Sequence, residues 1–424
     1  MKRFLTILLC TTMLFAMAAC QSSAPATSQP IETTEEMKPV DTYPYPAIND
    51  KLTRQNLEAL PVKSENMTVQ EMREACVAFM RFSKTALWTP NDYLQYERNT
   101  SGAMDEIAKG NVYAGLPYIG RGGCGNVYRL LDYIDEETGV LDMEEPAKYP
   151  ALFGNHCSSC TYWAWGRVIS SVEHAFTANI SHKNGYLRIG PYTYKDSEPK
   201  FSANYTSDMI CAENGMDIMC QSYAQLHLAD GLVNYHAGGG HVIMASSEPH
   251  IEYYEGKIDP AASYITVLEQ AANWVQYTNE AGDVAQIKPS VDKKMTFLEL
   301  FGGAYMPFTF AEFLGTKAVD KTECSINLSG DSVDATKLFN AKVTSNFGIS
   351  DIYVTLKNAD GKVVYRLVTR ATNAGEKQVS ITRNGTNAFA TGDFDKLSGE
   401  YAVEVTAQLS TGERPVLYAG KVII

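Results

Sequence analysis

The sequence has no excess of positive charge. Its 424 residues carry 36 lysines and arginines against 49 aspartates and glutamates, which gives a net charge of −13 at pH 7. A surface of this sign repels nucleic acids and other polyanions. We therefore expect no nucleic-acid partner and no electrostatic capture of the protein by anionic polymers.

The sequence also lacks the ligand spacings of common zinc sites. Residues 157–160 form one Cys-x-x-Cys pair, but no second pair follows, although structural zinc sites are commonly built from two such pairs. The His-Glu-x-x-His pattern of zinc peptidases is absent as well. We expect no metal and no cofactor.

Beyond its first residues, the chain has no apolar run of membrane-spanning length. Lys2 and Arg3 precede the apolar residues 4–19, which is typical of a secretory signal. Residues 17–20 (MAAC) resemble the bacterial lipoprotein box, which implies a signal peptide over 1–19 and lipidation of Cys20. The alternative is an ordinary signal cleaved near Ala19. Residues 20–45 are rich in Ser, Thr, Pro and Gln and predict a disordered tether.

Without Cys10 and Cys20, an odd number of cysteines remains in a chain that we expect outside the cytoplasm. An odd number is consistent with one free, reactive thiol. Cys211 and Cys220 bracket a short polar segment and could form a local disulfide. A disulfide between Cys157 and Cys160 would abolish any chemistry that depends on either thiol.

The most informative segment is residues 154–168 (GNHCSSCTYWAWGRV), which predicts a turn followed by a helix. If Asn155 caps this helix, Cys157 lies in its first turn, where free N–H groups and the helix dipole lower a thiol pKa. Cys160 then lies one turn further along. A buried or disulfide-bonded cysteine pair on an amphipathic helix is the alternative.

Two downstream segments supply partners for such a cysteine. Residues 238–246 predict a glycine-rich turn that leads into a buried strand with His241 at its start. Residues 264–270 predict a second strand, which ends at Glu269 and Gln270. In a cysteine hydrolase, a histidine takes the thiol proton and later protonates the leaving amine, while a third group orients the imidazole. The order Cys157, His241, Glu269 (or Gln270) fits these roles.

This order and its local context resemble the NlpC-type cell-wall peptidases, a papain-like family. Residues 113–120 (YAGLPYIG) resemble that family's Gly-x-Pro-Tyr motif, which implies that Tyr118 lies beside the nucleophile. Residues 156–159 (HCSS) resemble its Asp-Cys-Ser-Gly motif, and residues 240–243 (GHVI) its Gly-His-Val strand. The sequence departs from the family at His156, where the family has an acidic residue, and at the third catalytic position.

A sister family, the cysteine, histidine-dependent amidohydrolases/peptidases (CHAP), is similar over residues 160–167 (CTYWAWGR) and 265–269 (ITVLE). That resemblance implies Cys160 as the nucleophile instead. The expected position of Cys157 at the helix start and the Tyr118 motif favour Cys157.

We therefore expect an α+β chain with two folded regions after the tether. Residues 46–320 would form a papain-like domain whose N-terminal helical region begins with a capping box at Thr68 and Glu71. Within it, Asp132, Asp135 and Glu136 predict a solvated acidic helix end. Short alternating runs separated by turn residues predict a small antiparallel, Ig-like β-sandwich over 321–424.

The resemblance implies a lipid-anchored hydrolase, on the outer face of a bacterial membrane, that cleaves amide bonds in peptidoglycan stem peptides. We expect it to be a monomer. The alternative is a catalytically inactive lipoprotein that binds wall peptide or glycan with the same fold.

Overall fold

The computed structural model describes residues 51–98, 102–120, 122–175, 177–180, 185–195, 201–270, 274–278, 282–288 and 290–424. The expected signal peptide, Cys20 and the tether lie outside the described residues. Over the described ranges, no helix is both long and apolar enough to span a membrane. The protein is mixed α+β, and strand residues outnumber helical residues among those described.

The helices of the described ranges are α1 (Arg54–Glu58), α2 (Val69–Thr85), α3 (Val127–Leu131), α4 (Glu144–Lys148), α5 (Pro150–Phe153), α6 (Cys157–Trp165), α7 (Ser207–Tyr223), α8 (Phe297–Gly302) and α9 (Ala335–Leu338). Short 3₁₀ turns occupy Thr177–Asn179, Glu312–Leu314 and Phe394–Lys396. The capping box predicted at Thr68 and Glu71 is present and begins α2. The apolar face of α2 packs against α6.

Before residue 321, the strands are β1 (Leu87–Pro90), β2 (Leu94–Glu97), β3 (Met104–Ile107), β4 (Val112–Ala114), β5 (Ile134–Asp135), β6 (Val140–Leu141), β7 (Leu187–Arg188), β8 (Gly231–His236), β9 (Gly239–Ala245), β10 (Tyr253–Tyr254), β11 (Lys257–Ile258), β12 (Tyr264–Leu268), β13 (Val275–Thr278), β14 (Val284–Ile287), β15 (Lys293–Thr296) and β16 (Met306–Thr309). The central sheet has the order β15-β12-β9-β8-β16-β7, with antiparallel neighbours throughout. A second sheet has the order β13-β14-β4-β1-β6-β5. Because α6 packs on β9, the predicted nucleophile helix lies against the strand that carries His241.

After residue 320, the strands are β17 (Cys324–Ile326), β18 (Ser332–Asp334), β19 (Lys342–Ser345), β20 (Ile349–Lys357), β21 (Val363–Arg370), β22 (Gln378–Ser380), β23 (Ala388–Thr391), β24 (Glu400–Leu409) and β25 (Val416–Ile423). They form one sheet of order β17-β19-β22 and another of order β18-β25-β24-β20-β21-β23. Apolar side chains from both sheets, such as Val343 and Val405, share a buried core. The predicted β-sandwich is therefore present as a sandwich-like region.

Cys211 and Cys220, which the sequence suggested as a local disulfide, are both free thiols. They lie on α7, nine residues apart and on either side of Gly215, where the backbone leaves helical geometry at a φ of +75°. The polar segment between them thus consists of two helical stretches joined at a kink, instead of a loop that would bring the two sulfur atoms together.

The prediction of a solvated acidic helix end was wrong for Asp132. Its carboxylate lies 3.3 Å from the Arg370 guanidinium of the sandwich, and its side chain is almost fully buried. Arg370 also contacts Asp351 at 2.8 Å, and Asp351 lies 3.2 Å from Arg129. Burial of such charges is tolerated only when opposite charges and hydrogen bonds compensate them. This network joins α3 to β20 and β21.

The buried network predicts a large stability effect for Arg370→Met. Loss of one cation would leave Asp351 and Asp132 short of compensation, so we expect the free energy of unfolding to fall by about 3–5 kcal/mol. Denaturation by urea, followed by circular dichroism, measures the change.

A matched control is Arg383→Met, because Arg383 pairs with the exposed Asp395 at 2.7 Å. Arg383→Met should lower the free energy of unfolding by less than about 1 kcal/mol. Equal losses in the two variants would contradict a special contribution of the buried network.

Candidate active site

Cys157 is the first residue of α6, as the sequence predicted, but His156 and not Asn155 caps this helix. The His156 imidazole accepts from the Ser159 N–H, and the Ser159 hydroxyl accepts from the His156 N–H at 3.0 Å. Asn155 instead donates to the Gly125 carbonyl and accepts from Gln270. The Cys157 thiol thus lies at the positive end of a nine-residue helix.

His241 is held by its strand neighbour. It lies opposite Asn234 in the β8–β9 pair, and its N–H donates to the Asn234 side-chain oxygen at 2.7 Å. The preceding residue must be small, because a Cβ at Gly240 would lie 2.4 Å from the Asn234 carbonyl oxygen and 2.6 Å from Thr177 Oγ1. Gly240 therefore permits the close approach of the backbone to Asn234 and Thr177 that fixes the position of His241.

The structure brings Cys157, His241 and Glu269 together. His241 Nε2 lies 3.0 Å from Glu269 Oε2, which leaves Nδ1 as the ring nitrogen for the Cys157 thiol, to which His241 is also hydrogen-bonded. The second carboxylate oxygen of Glu269 accepts from Lys293 Nζ at 3.0 Å. Glu269 is buried, whereas the His241 side chain keeps 26% of its surface exposed. The imidazole therefore lies where a molecule in solution can reach it.

These contacts shift all three pKa values. Burial raises the pKa of the Cys157 thiol, but hydrogen bonds to His156 and His241 and the positive charge of His241 outweigh burial and lower it to about 5. Burial lowers the pKa of His241, but hydrogen bonds to Cys157 and Glu269 and their charges raise it to about 10. Burial likewise raises the pKa of Glu269, and His241 and Lys293 lower it to about 2. At neutral pH the site is a thiolate, an imidazolium and a carboxylate.

The two alternative residues lie elsewhere. Cys160 is buried one turn further along α6, and burial raises the pKa of its thiol to about 11. The Gln270 side chain points away from His241: its amide donates to Asn155 Oδ1 at 2.7 Å and to the Leu116 carbonyl at 3.2 Å. Gln270 therefore holds the segment before α6 in place, and the structure does not bring it to the imidazole.

Two tyrosines feel the charge of the thiol. The backbone of Tyr118 pairs with that of Asn155, two residues before Cys157. Burial raises the pKa of the Tyr118 hydroxyl, and the negative charge of Cys157 adds to this shift. Burial also raises the pKa of Tyr305, with additional shifts from Glu269 and Cys157. The sequence analysis had singled out Tyr118; Tyr305, which directly precedes β16, was not predicted.

A second imidazole contacts the thiol. Besides capping α6, His156 is hydrogen-bonded to Cys157. The Ser158 hydroxyl lies 3.1 Å from His156 Nδ1 and 3.2 Å from His174 Nε2, so it links the two rings. His156 is therefore a second group that favours the thiolate.

Three contributors to the site were not predicted from the sequence: Lys293, Tyr305 and the side chain of His156. For His156 a signal existed, since it adjoins the cysteine at the predicted helix start. Lys293 and Tyr305 reach the site from β15 and from the loop before β16, far along the chain. No local pattern marks such residues. Over the described ranges, no group of three or more His, Cys, Asp or Glu is arranged to hold a metal ion.

No protein-family model and no curated protein matches the chain. Among solved structures, the fibronectin(III)-like modules of Clostridium thermocellum CbhA are 8% identical, with 46% of this chain and 77% of that chain covered and a TM-score of 0.15. The extracellular domain of a protein described as a hybrid two-component system in B. thetaiotaomicron is 8% identical, with 46% and 29% covered and a TM-score of 0.14. Similarities at these TM-scores establish neither a shared fold nor a function.

The lowered thiol pKa predicts that Cys157 reacts with iodoacetamide in mildly acidic solution. The thiolate is the reactive form, so the alkylation rate should rise through about pH 5 and then stay level to neutral pH. Mass spectrometry of the peptide that contains Cys157 gives the rate at each pH. Cys76 on α2 is the internal control, because burial raises the pKa of that thiol to about 12. A rate that rises only above pH 8 would contradict the ion pair.

Glu269→Gln should move this reactivity profile to higher pH. Without the carboxylate, the His241 imidazolium is less stable, so the pKa of His241 falls and that of Cys157 rises, by about one unit or more. Glu252→Gln is the matched control, because Glu252 makes a 2.8 Å contact with His250 on the exposed surface. An unchanged profile in Glu269→Gln would show that the carboxylate does not stabilise the imidazolium.

Proposed function

We propose that this protein is a lipid-anchored cysteine hydrolase that cleaves amide bonds in peptidoglycan stem peptides. The observation that carries the proposal is the hydrogen-bonded series Cys157, His241 and Glu269, with the thiol at a helix N-terminus. A nucleophile, a base in contact with it and a group that orients the base are the minimum for covalent amide hydrolysis.

The reaction would begin with attack of the Cys157 thiolate on the amide carbonyl carbon. The imidazolium of His241 then donates its proton to the leaving nitrogen, the C–N bond breaks, and an acyl thioester remains on Cys157. In the second half, neutral His241 takes a proton from water, the resulting hydroxide attacks the thioester, and the acid product leaves as the thiolate forms again. Each half begins with His241 in the protonation state that it needs.

The start of α6 would stabilise the oxyanion of both tetrahedral intermediates. The N–H of Cys157 has no intrahelical acceptor, because it belongs to the first turn of the helix. Preorganised N–H donors at such a position stabilise developing negative charge without reorganisation. The charge of the same thiol acts on the Tyr118 and Tyr305 hydroxyls, and burial keeps both protonated. They are further candidates to donate to substrate or oxyanion.

Glu269 would act by fixing the imidazole. Its pKa of about 2 keeps it ionised throughout the working range. One carboxylate oxygen faces His241 Nε2, while the other is held by Lys293. This arrangement directs Nδ1 towards Cys157 and favours the imidazolium, as the third residue of a catalytic triad does.

The arrangement of elements supports a papain-like domain over residues 46–320. A nucleophile helix packs against an antiparallel sheet, one strand of which carries the base and the next the orienting residue. The motifs around Tyr118, Cys157 and His241 resemble the NlpC-type family, and the position of Cys157 in the first turn favours this resemblance over the CHAP register. The family resemblance also supplies the substrate class: either a D-glutamyl–diamino-acid bond or the amide that joins glycan to peptide.

The proposed location follows from the sequence. A signal peptide over 1–19, lipidation of Cys20 and a tether over 20–45 would hold a monomer on the outer face of the membrane, within reach of the cell wall. The net charge of −13 excludes electrostatic attraction as the means of holding the enzyme to anionic wall polymers. A lipid anchor supplies that proximity instead.

The test is incubation of the full-length protein with purified peptidoglycan, followed by mass spectrometry of the soluble products. We expect new muropeptides whose termini identify the bond. Cys157→Ala should abolish them, His241→Ala should reduce their rate by about 10³-fold or more, and Cys160→Ala should still form them.

Loss of products only in Cys160→Ala would identify Cys160 as the nucleophile, as the CHAP resemblance implies. Absence of products from the unmutated protein on several wall types would overturn the hydrolase. If the protein then sedimented with the wall, the binding lipoprotein would replace it.

A further inference from the structure

Cys157 and Cys160 are three residues apart on one face of α6. In an α-helix this spacing places two Cα atoms about 5 Å apart, which lies within the range that a disulfide spans. Both cysteines are free thiols in the structure. The structure thus shows the reduced form of a pair whose spacing also fits a disulfide.

From this geometry we infer that Cys157 and Cys160 are a reversible redox pair, which a hydroperoxide converts to a disulfide and a dithiol restores. The bridge would occupy the Cys157 sulfur and switch the site off. The inference rests on the proposed function only for that consequence, because bridge formation itself needs no peptidoglycan.

The surroundings give the two thiols different roles. Both thiols are buried, but Cys157 adjoins the partly exposed His241 and is held as a thiolate by two imidazoles, so it is the sulfur that meets an oxidant first. Cys160 lies one turn further along the helix and is the more deeply buried of the two. Redox-sensitive sites commonly place a low-pKa cysteine next to a resolving cysteine.

Lys84 supplies a cation on the buried side. Its ammonium donates to the Glu269 carbonyl and lies 3.3 Å from Gln270 Oε1, and its charge favours the Cys160 thiolate. Burial lowers the pKa of Lys84 to about 8, so the amine is still a cation at neutral pH. The second thiol therefore has a group that assists its ionisation, although no solvent reaches it.

The chemistry balances in two steps. The Cys157 thiolate attacks one oxygen of the hydroperoxide and the O–O bond breaks. Sulfenic acid forms, and the leaving hydroxide or alkoxide takes the proton of the His241 imidazolium and departs as water or alcohol. The Cys160 thiolate then attacks the sulfenic sulfur, the S–O bond breaks, and the hydroxyl leaves as water with the proton that Cys160 gave up. The peroxide is reduced by two electrons, which come from the two thiols. A dithiol reverses the bridge by exchange.

To test this inference, the full-length protein is treated with hydrogen peroxide and the product at residues 157–160 is identified. Free thiols are then alkylated under denaturing conditions, and the peptide is analysed by mass spectrometry with and without dithiothreitol. We expect a peptide that has lost two hydrogen atoms and cannot be alkylated at either cysteine, with full recovery of both thiols after dithiothreitol.

Cys160→Ser is the diagnostic variant, and Cys76→Ser is its control because Cys76 is a buried thiol on another helix. In Cys160→Ser, peroxide should add oxygen atoms to Cys157. Dithiothreitol should then no longer fully restore the alkylation of Cys157. In Cys76→Ser, the bridge should form as in the unmutated protein.

A second measurement does not depend on how well a variant folds. In the unmutated protein, alkylation of Cys157 and Cys160 must be lost together as peroxide is added. Loss at Cys157 alone, with oxygen added there, would overturn the redox pair. If the disulfide forms but the protein does not hydrolyse peptidoglycan, the proposed function is overturned and the redox pair stands. If the protein hydrolyses peptidoglycan but no disulfide forms, the redox pair is overturned and the proposed function stands.

Discussion

The structure depends on the complete burial of the nucleophile helix. Every residue of α6 is buried, from Cys157 to Trp165, so each polar group on it must find a partner inside the protein. Ser159 donates to the Gly123 carbonyl at 2.7 Å, and the Trp163 and Trp165 indoles donate to backbone carbonyls at 3.0 and 2.8 Å. At the other end, Ser410 of the sandwich donates to the Gly166 carbonyl. These bonds fix the position of Cys157.

A fixed helix is what the proposed chemistry requires. A thiolate at a helix N-terminus gains from the dipole only if it stays there, and the imidazole must meet it at hydrogen-bond distance. The β8–β9 pair supplies the second fixed surface, because Asn234 holds the backbone of His241. The sandwich contributes from behind, through Ser410 and through the buried pair of Arg370 and Asp351. The C-terminal region is thus part of the support for the site, which its sequence alone did not suggest.

The charges that lower the pKa of the Cys157 thiol would also make it sensitive to oxidants. Two imidazoles favour its thiolate, and the neighbouring His241 is partly exposed. In the redox pair that we infer, a second thiol one turn away would resolve oxidised Cys157 as a disulfide before irreversible oxidation. The proposed reactivity towards an amide and the inferred protection by Cys160 would then both depend on the same helix turn.

The sequence by itself determined the local elements: the capped helix after Thr68, the first-turn position of Cys157, the strand that begins near His241, and the alternating strands of the sandwich. Local propensity and periodicity suffice for these, because each depends on neighbours in the chain. The tertiary structure alone decided that Glu269 and not Gln270 faces the imidazole, and that Asp132 pairs with Arg370. Adjacent residues at a strand end point in different directions, and a buried charge takes its partner from wherever the fold places one. Those partners lie tens to hundreds of residues away, where no local pattern identifies them.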